Sequence, residues 1–388
     1  MLLVDESVIS TKARQGPMTR ILGRTLMLLF LSASMAIALA GPAPKTKSTV
    51  PVTTTMLKKR PLKKHFYERF NTSSFDSSNI TGDVATGEDP SIRAAAVEAL
   101  GNFNGTVVVT DPDSGRILAM VNQKLALSEG AQPCSTIKVA VALAGLSEGV
   151  ITDDFGIRLT RYRKIDLTYA LAHSNNLYFE EVGRRLGFDK ITFYAHQLGL
   201  GELAGFNIDG EHLGQFPAQE LDAKLGGVGK MCSFGESISM TPLQLAAMMG
   251  AIANGGKLLY LQHPQSQMEW TSFEPKLKRT LNIEPFVYAM TPGMQGAVDF
   301  GTARRLRASF ADDVMGKTGT CSKEGTRYGW FASVGQTPAG RMVAVVFLQG
   351  DRKVAGPIAA DIAGRFYKGL SDKLPVVHAV ITPFNSTL

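Results

Sequence analysis

Cysteine and histidine are scarce in this chain: three and six among 388 residues. Cys134, Cys232 and Cys321 have no metal-ligand spacing and no Cys/His cluster beside them, so a metal site finds no support. The histidines (His65, His173, His196, His212, His263 and His378) stand in no triad context. Neither serine of Gly235-Glu-Ser237-Ile-Ser239 sits in Gly-x-Ser-x-Gly, which argues against a Ser-His-Asp hydrolase. Beyond residue 40 there is no apolar run long enough to cross a bilayer, and no internal repeat at solenoid periods. The body also lacks a basic patch interleaved with aromatics, so nucleic-acid binding is not expected.

Charge is unevenly spread. Residues 1–64 hold eleven Lys/Arg against two acidic residues, so the rest of the chain is −2 of a total of +7. Thr25 to Ala40 is an uncharged, largely apolar run after Arg20 and Arg24, closing on Ala38-Leu39-Ala40 before Gly41-Pro42. That is the anatomy of a secretory signal with a small-residue cleavage site. Its sixteen residues are short against the roughly 20 that span hydrocarbon, so 1–41 reads as a signal peptide first and an N-terminal anchor second. Met18 opens a more typical signal than Met1 does. Either way the body is expected outside the cytoplasmic membrane. Residues 42–92, rich in Pro, Lys, Thr and Ser, read as a flexible basic linker; 93–372 as the folded domain; 373–388 as a tail.

Three motifs carry chemistry, in order. Ser135-Thr136-Ile137-Lys138 opens the apolar run Val139 to Leu146. A helix starting there sets hydroxyl and amine one turn apart on one face, at a helix start whose N–H groups favour developing negative charge. A serine nucleophile with a lysine base requires that arrangement. Ser174-Asn175-Asn176 interrupts the apolar pattern of Leu167, Leu171, Leu177, Phe179 and Val182, and reads as a polar loop between helices. Lys317-Thr318-Gly319-Thr320 precedes Tyr328 to Val334 and Met342 to Leu348, two runs that read as paired strands. Gly319 lets a ligand or backbone approach closely. Each motif alone is weak; their order is what counts.

Ser-x-x-Lys, Ser-x-Asn and Lys-Thr-Gly in this order resemble the active-site set of penicillin-recognising serine enzymes. Val107 to Val121, with Asp111-Pro-Asp-Ser-Gly115 as a turn, resembles the opening hairpin of a penicillin-binding transpeptidase domain. Thr241-Pro242-Leu243-Gln244-Leu245-Ala246, Gly301-Thr302-Ala303 and Gly329-Trp330-Phe331 also match, so the likeness covers about 104–370. It implies an α+β fold, an antiparallel sheet flanked by helices with an all-helical subdomain inserted. It further implies acyl transfer on D-Ala-D-Ala stem peptides of peptidoglycan through an acyl-enzyme on Ser135, with β-lactams as inhibitors and no metal or cofactor.

By that resemblance Lys138 is the base, Ser174 relays a proton and Asn176 binds the substrate amide. Lys317 would hold the terminal carboxylate with Thr318 and Thr320, beside Gly319, while the backbone N–H groups of Ser135 and Thr320 form an oxyanion hole. Cys134 directly precedes the nucleophile and Cys321 directly follows Thr320. If both motifs line one cleft, these cysteines are candidates for a disulfide; otherwise they are two small buried residues. No Glu-x-x-x-Asn lies between Ser135 and Lys317, and Asn176 stands where class D β-lactamases usually have valine. These features favour a transpeptidase; a D,D-carboxypeptidase or β-lactamase of the same superfamily and a non-catalytic β-lactam receptor remain the alternatives. Glu236, in Ser233-Phe-Gly-Glu-Ser237, departs from the neutral residue usual there. The short Ser135-to-Ser174 interval suggests a trimmed cleft wall.

Overall fold

The computed structural model describes residues 68–310 and 313–373. In chain order the domain runs α1 (Pro90–Leu100), β1 (Gly105–Thr110), β2 (Ile117–Val121), α2 (Gln123–Ala126), a 3₁₀ turn (Cys134–Ile137), α3 (Lys138–Ser147) and the hairpin β3 (Ile157–Thr160) to β4 (Arg163–Ile165). There follow α4 (Leu167–Ala172), α5 (Asn176–Gln197), α6 (Gly227–Phe234), α7 (Pro242–Ala253), β5 (Lys257–Leu259), α8 (Gln267–Thr271), β6 (Leu277–Thr280) and α9 (Glu284–Asp299). Three long strands, β7 (Val314–Lys323), β8 (Thr326–Thr337) and β9 (Gly340–Gly350), precede α10 (Gly356–Lys373). The main sheet is antiparallel in the order β2-β1-β9-β8-β7. All of α2 to α9 is thus inserted between its second and third strands in sequence.

The opening hairpin turns where the chain can turn. Asp111 accepts from Asp113 N and from the Ser114 hydroxyl, and Gly115 takes a φ of +75°. A Cβ at Gly115 would stand 2.5 Å from the Tyr260 carbonyl oxygen, so only glycine fits.

The sheet has helices on both faces, and strand alternation sorts its residues between two cores. On β9, Val343, Val345 and Phe347 join the larger core around α3, α5 and α7, while Met342, Ala344, Val346 and Leu348 join the core under α1 and α10. On β8, Trp330 and Ala332 go one way and Phe331 the other. Both faces being covered, these strands read as near-continuous apolar runs instead of alternating ones.

In the inserted part α3 and α7 are central. Every residue from Lys138 to Gly145 is buried, as is every residue from Pro242 to Ile252. A helix apolar all round belongs inside. α7 has the ends its sequence announces: Thr241 and Gln244 form a capping box, Pro242 opens the helix and Asn254 closes it.

One boundary differs from expectation. The flexible linker was expected to reach residue 92, yet 71–89 is fastened to the domain and α1 begins at Pro90. Asn71 N donates to Gly325 O, buried Ser74 donates to Asp351 and accepts from Asp351 N, and Asp83 accepts from Asn122 N and Gln123 N. Glu88 and Asp83 both pair with Arg93. Polar composition suggested a tether because the strap is held by hydrogen bonds and ion pairs, which hydropathy does not register. The apolar run 25–40 and the tail from 374 lie outside the described residues. Among the described residues no helix is long and apolar enough to cross a membrane.

Candidate active site

Ser135 stands in the 3₁₀ turn, not at the start of the α-helix proper, which begins at Lys138. In a 3₁₀ turn the side chains at i and i+3 eclipse. That is why Ser135 Oγ and Lys138 Nζ come within 2.9 Å. Cys134 leads into the turn at a φ of +52°, a left-handed value uncommon for a residue with a Cβ.

The Ser174 loop reaches the same amine. α4 stops at Ala172, Ser174 takes a φ of +54°, and Asn175 caps α5 by accepting from Tyr178 N. This sharp turn aims three acceptors at Lys138 Nζ: Ser174 O at 2.9 Å, Ser174 Oγ at 3.1 Å and Asn176 Oδ1 at 2.6 Å. The flanking apolar rhythm is imperfect, since Leu177 is exposed.

Lys138 and Lys317 are both fully buried. Burial, and next to it the positive charge of Lys317, hold the Lys138 ammonium well below its ordinary range, with Glu180 opposing. Burial pushes Lys317 down to about 7. Lys317 Nζ donates to Thr318 O at 3.0 Å.

β7 presents different residues to its two sides. Lys317, Gly319 and Cys321 pair with Ala332, Trp330 and Tyr328 and face the nucleophile turn. A Cβ on Gly319 would meet Pro133 O at 2.9 Å and Thr136 Cγ2 at 3.2 Å, so the strand can lie this close only with glycine there. Thr318 and Thr320 alternate to the other side: Thr318 Oγ1 meets Thr302 Oγ1 at 2.6 Å, and Thr320 Oγ1 accepts from Gly356 N at 2.7 Å. The two threonine hydroxyls are therefore separated from the lysine by strand alternation, though Thr302 and Thr318 lie beside the Ser174 loop, because Thr302 N donates to Ala172 O.

A disulfide joins Cys134 to Cys321, with Cα atoms 5.5 Å apart. It ties the nucleophile turn to β7 from the residue before Ser135 to the residue after Thr320. Cys232 is a buried free thiol. Among the described residues no group of acidic, histidine or cysteine side chains could hold a metal ion.

Sequence reasoning did not single out Gln132. Its carbonyl accepts from Trp330 Nε1 at 3.0 Å and its amide donates to Phe234 O and, at 3.4 Å, to Glu236. It thus braces the loop before the nucleophile against β8 on one side and the end of α6 on the other. Nothing in one sequence marks such a glutamine. Glu236 follows Gly235, on which α6 closes, and is half-buried against Gln132. Thr302 was visible only as part of Gly301-Thr302-Ala303.

A serine and a desolvated lysine amine in hydrogen-bond reach, joined by a polar loop and a lysine-bearing edge strand, form an arrangement that can support acyl transfer through the serine. The model of the penicillin binding protein transpeptidase domain matches residues 105–368, and the chain belongs to that family. Peptidoglycan D,D-transpeptidase MrdA of Haemophilus influenzae is 24% identical over 76% of this chain and 57% of its own. Stage V sporulation protein D of Bacillus subtilis is 28% identical over 66% of this chain and 44% of its own. The chain thus spans about half the length of these curated relatives. A crystal structure of Pseudomonas aeruginosa PBP2 in complex with WCK 5153 shares the fold, with a TM-score of 0.60, 24% identity and 74% of each chain covered.

Proposed function

We propose that this chain is a penicillin-sensitive serine D,D-transpeptidase that acts on D-Ala-D-Ala stem peptides of peptidoglycan at the outer face of the cytoplasmic membrane, delivered there by its N-terminal segment. The observation that carries this reading is the environment of Lys138 Nζ. A neutral amine has two hydrogens and one lone pair. The two carbonyl acceptors, Ser174 O and Asn176 Oδ1, take the hydrogens, which leaves the lone pair to accept a hydroxyl proton from Ser135. Burial, and next to it the charge of Lys317, lower the pKa of the amine and so favour that neutral form.

Ser135 Oγ attacks the carbonyl carbon of the penultimate D-alanine as its proton passes to Lys138 Nζ. The tetrahedral oxyanion is held by the backbone N–H groups of Ser135 and Thr320; losing one such donor typically costs about 2.7–4 kcal/mol. Collapse breaks the C–N bond, and the proton returns through the Ser174 hydroxyl to the departing amine. Lys317 attracts the substrate carboxylate through the strand, and the hydroxyls of Thr318 and Thr302, on the strand's other side, bind it, while Thr320 Oγ1 is taken by Gly356 N. A bound carboxylate favours the charged lysine, which offsets the burial that lowers it. A β-lactam enters the same first step through its strained amide and stays as an ester.

The test is incubation of the chain with a labelled penicillin, following labelling and release. A persistent adduct that disappears in Ser135→Ala supports the proposal. Rapid release of opened drug points to β-lactam hydrolysis, and no labelling at all sinks both readings.

A further inference from the structure

Beside the Ser174 loop lies a row of planar side chains that the acylation chemistry does not use. The Arg163 guanidinium stands 4.8 Å over the Tyr169 ring, Tyr169 and His173 have centroids 4.2 Å apart, and His173 and Phe300 are 5.8 Å apart. Tyr169 and His173 are four residues apart and share one face of α4 and its cap, and Asp166 fixes the start of that helix through Tyr169 N. The row is open to solvent: His173 and Arg163 are exposed, and Phe300 is 54% exposed. Tyr169 is half-buried and packs partly against the larger core, so the open faces of the row are those of His173 and Phe300.

Both inner members are tied to the site. His173 precedes Ser174. Phe300 precedes Gly301 and Thr302, and a Cβ on Gly301 would stand 2.1 Å from Ala172 O, so this segment is pressed against the Ser174 loop. Thr302 then meets Thr318. The outer end belongs to the β3–β4 hairpin, where Ile157 to Ile165 holds Arg158, Arg161, Arg163 and Lys164 and no acidic residue. None of these four forms an ion pair among the described residues.

We propose that the row Phe300–His173–Tyr169–Arg163 is the subsite for the acyl acceptor, a peptide that presents an amine at the cleft and a carboxylate at Arg163. This rests on the transpeptidase reading above. The leaving D-alanine keeps its carboxylate at the Thr318 and Thr302 hydroxyls, on the strand that carries Lys317. An incoming amine must replace the leaving amine, so the body of the acceptor continues outward from the same place, and the surface that continues from Thr302 is this row. Aromatic faces suit peptide planes, and the Arg163 guanidinium, which donates to the Tyr169 hydroxyl and forms no ion pair among the described residues, has further N–H groups for a carboxylate. Steps of 5.8, 4.2 and 4.8 Å amount to at most about 15 Å, the reach of four to five extended residues at about 3.3 Å each. In the transfer the amine nitrogen bonds to the acyl carbon and the ester C–O bond to Ser135 Oγ breaks. The amine proton passes through Lys138 to that oxygen.

The experiment compares two acceptors, tetraglycine and tetraglycine amide, with an activated D-alanyl thioester as donor. Aminolysis is normalised to penicillin labelling of the same sample, which also reports that each variant has folded. The unmodified chain should favour the free acid by about 10-fold in kcat/KM. Arg163→Gln should abolish that preference by raising KM for the acid, and Tyr169→Ala should raise KM for both peptides. Equal use of the two peptides by the unmodified chain, or a preference that survives Arg163→Gln, overturns the subsite. So does transfer to neither peptide by an enzyme that is labelled. An unmodified chain that penicillin does not label overturns instead the reading on which the subsite rests.

Discussion

Removing the Cys134–Cys321 bridge separates two contributions that the structure sets against each other. The bridge closes a loop with a sequence separation of 187 residues. In the chain-entropy account a loop of that length restricts the unfolded state by about 5 kcal/mol. Against this, Cys134 is held at a φ of +52°, which costs a residue with a Cβ about 1–2 kcal/mol. Cys134→Ser loses the bridge and keeps the strained backbone, so it should lose about 4–5 kcal/mol. Cys134→Gly loses the bridge and the strain together, and should be about 1 kcal/mol better than the serine variant. Cys321→Ser should behave like Cys134→Ser, and so should the reduced parent protein. Urea unfolding of oxidised and reduced protein measures this, with an expected midpoint shift of about 1 M or more. Penicillin acylation measured in parallel should slow about 10-fold, since both bridge ends flank the backbone groups assigned to the oxyanion; that corresponds to about 1.4 kcal/mol in the barrier. A reduced protein with an unchanged midpoint and unchanged acylation would refute the reasoning. A glycine variant no better than serine would refute the strain part alone.

Other predictions follow from the buried amines and the close strand. Lys138→Met should slow acylation by about 10²–10⁴-fold with the fold retained, read by labelling kinetics and circular dichroism. Acylation by a carboxylate-bearing substrate should follow a bell in pH: it rises as Lys138 loses its proton and falls as Lys317 loses its own at about 7 in the free protein, the two limbs belonging to the pair. Lys317 and Lys138 both bind a proton less tightly folded than unfolded, so stability should increase as pH rises from about 7 towards the unfolded value of about 10.4, each lysine contributing at most about 1.4 kcal/mol per unit. Lys317→Met should flatten that slope and stabilise the protein at pH 7 while weakening substrate binding, checked by denaturation at pH 7 and 9. Gly319→Ala should push β7 from the nucleophile turn, costing about 1–3 kcal/mol and most of the acylation rate.

Much of the fold was legible where local chemistry and packing agree. The Asp111–Gly115 turn and the pairing of Tyr328 to Val334 with Met342 to Leu348 both appear as read, the latter with Tyr328 opposite Gln349 and Val334 opposite Val343. Ser135 and Lys138 meet as their spacing suggested and Ser174 and Asn176 join them as the resemblance implied, but through a 3₁₀ turn and two left-handed residues, Cys134 and Ser174. Neither cysteine nor serine announces a left-handed backbone; the disulfide and the helix ends around them impose it. Gln132 was illegible because its partner Trp330 is 198 residues away, and Thr302 showed only as part of a motif, without its partner Thr318 16 residues on. The strap at 71–89 escaped notice because its contacts are polar.

The alternation along β7 has a consequence for how such a site can change by descent. Lys317 and Gly319 face the nucleophile because they are odd in a strand whose even residues face α10. A single inserted or deleted residue between Met315 and Lys317 would exchange the two sets, aiming the lysine at α10 and the threonines at Ser135. Since β8 and β9 divide their own side chains between two cores, they cannot slip along to compensate. Length variation is therefore confined to the hairpin tips, at Glu324-Gly325 and between Thr337 and Gly340, while the strand itself can diverge only by substitution.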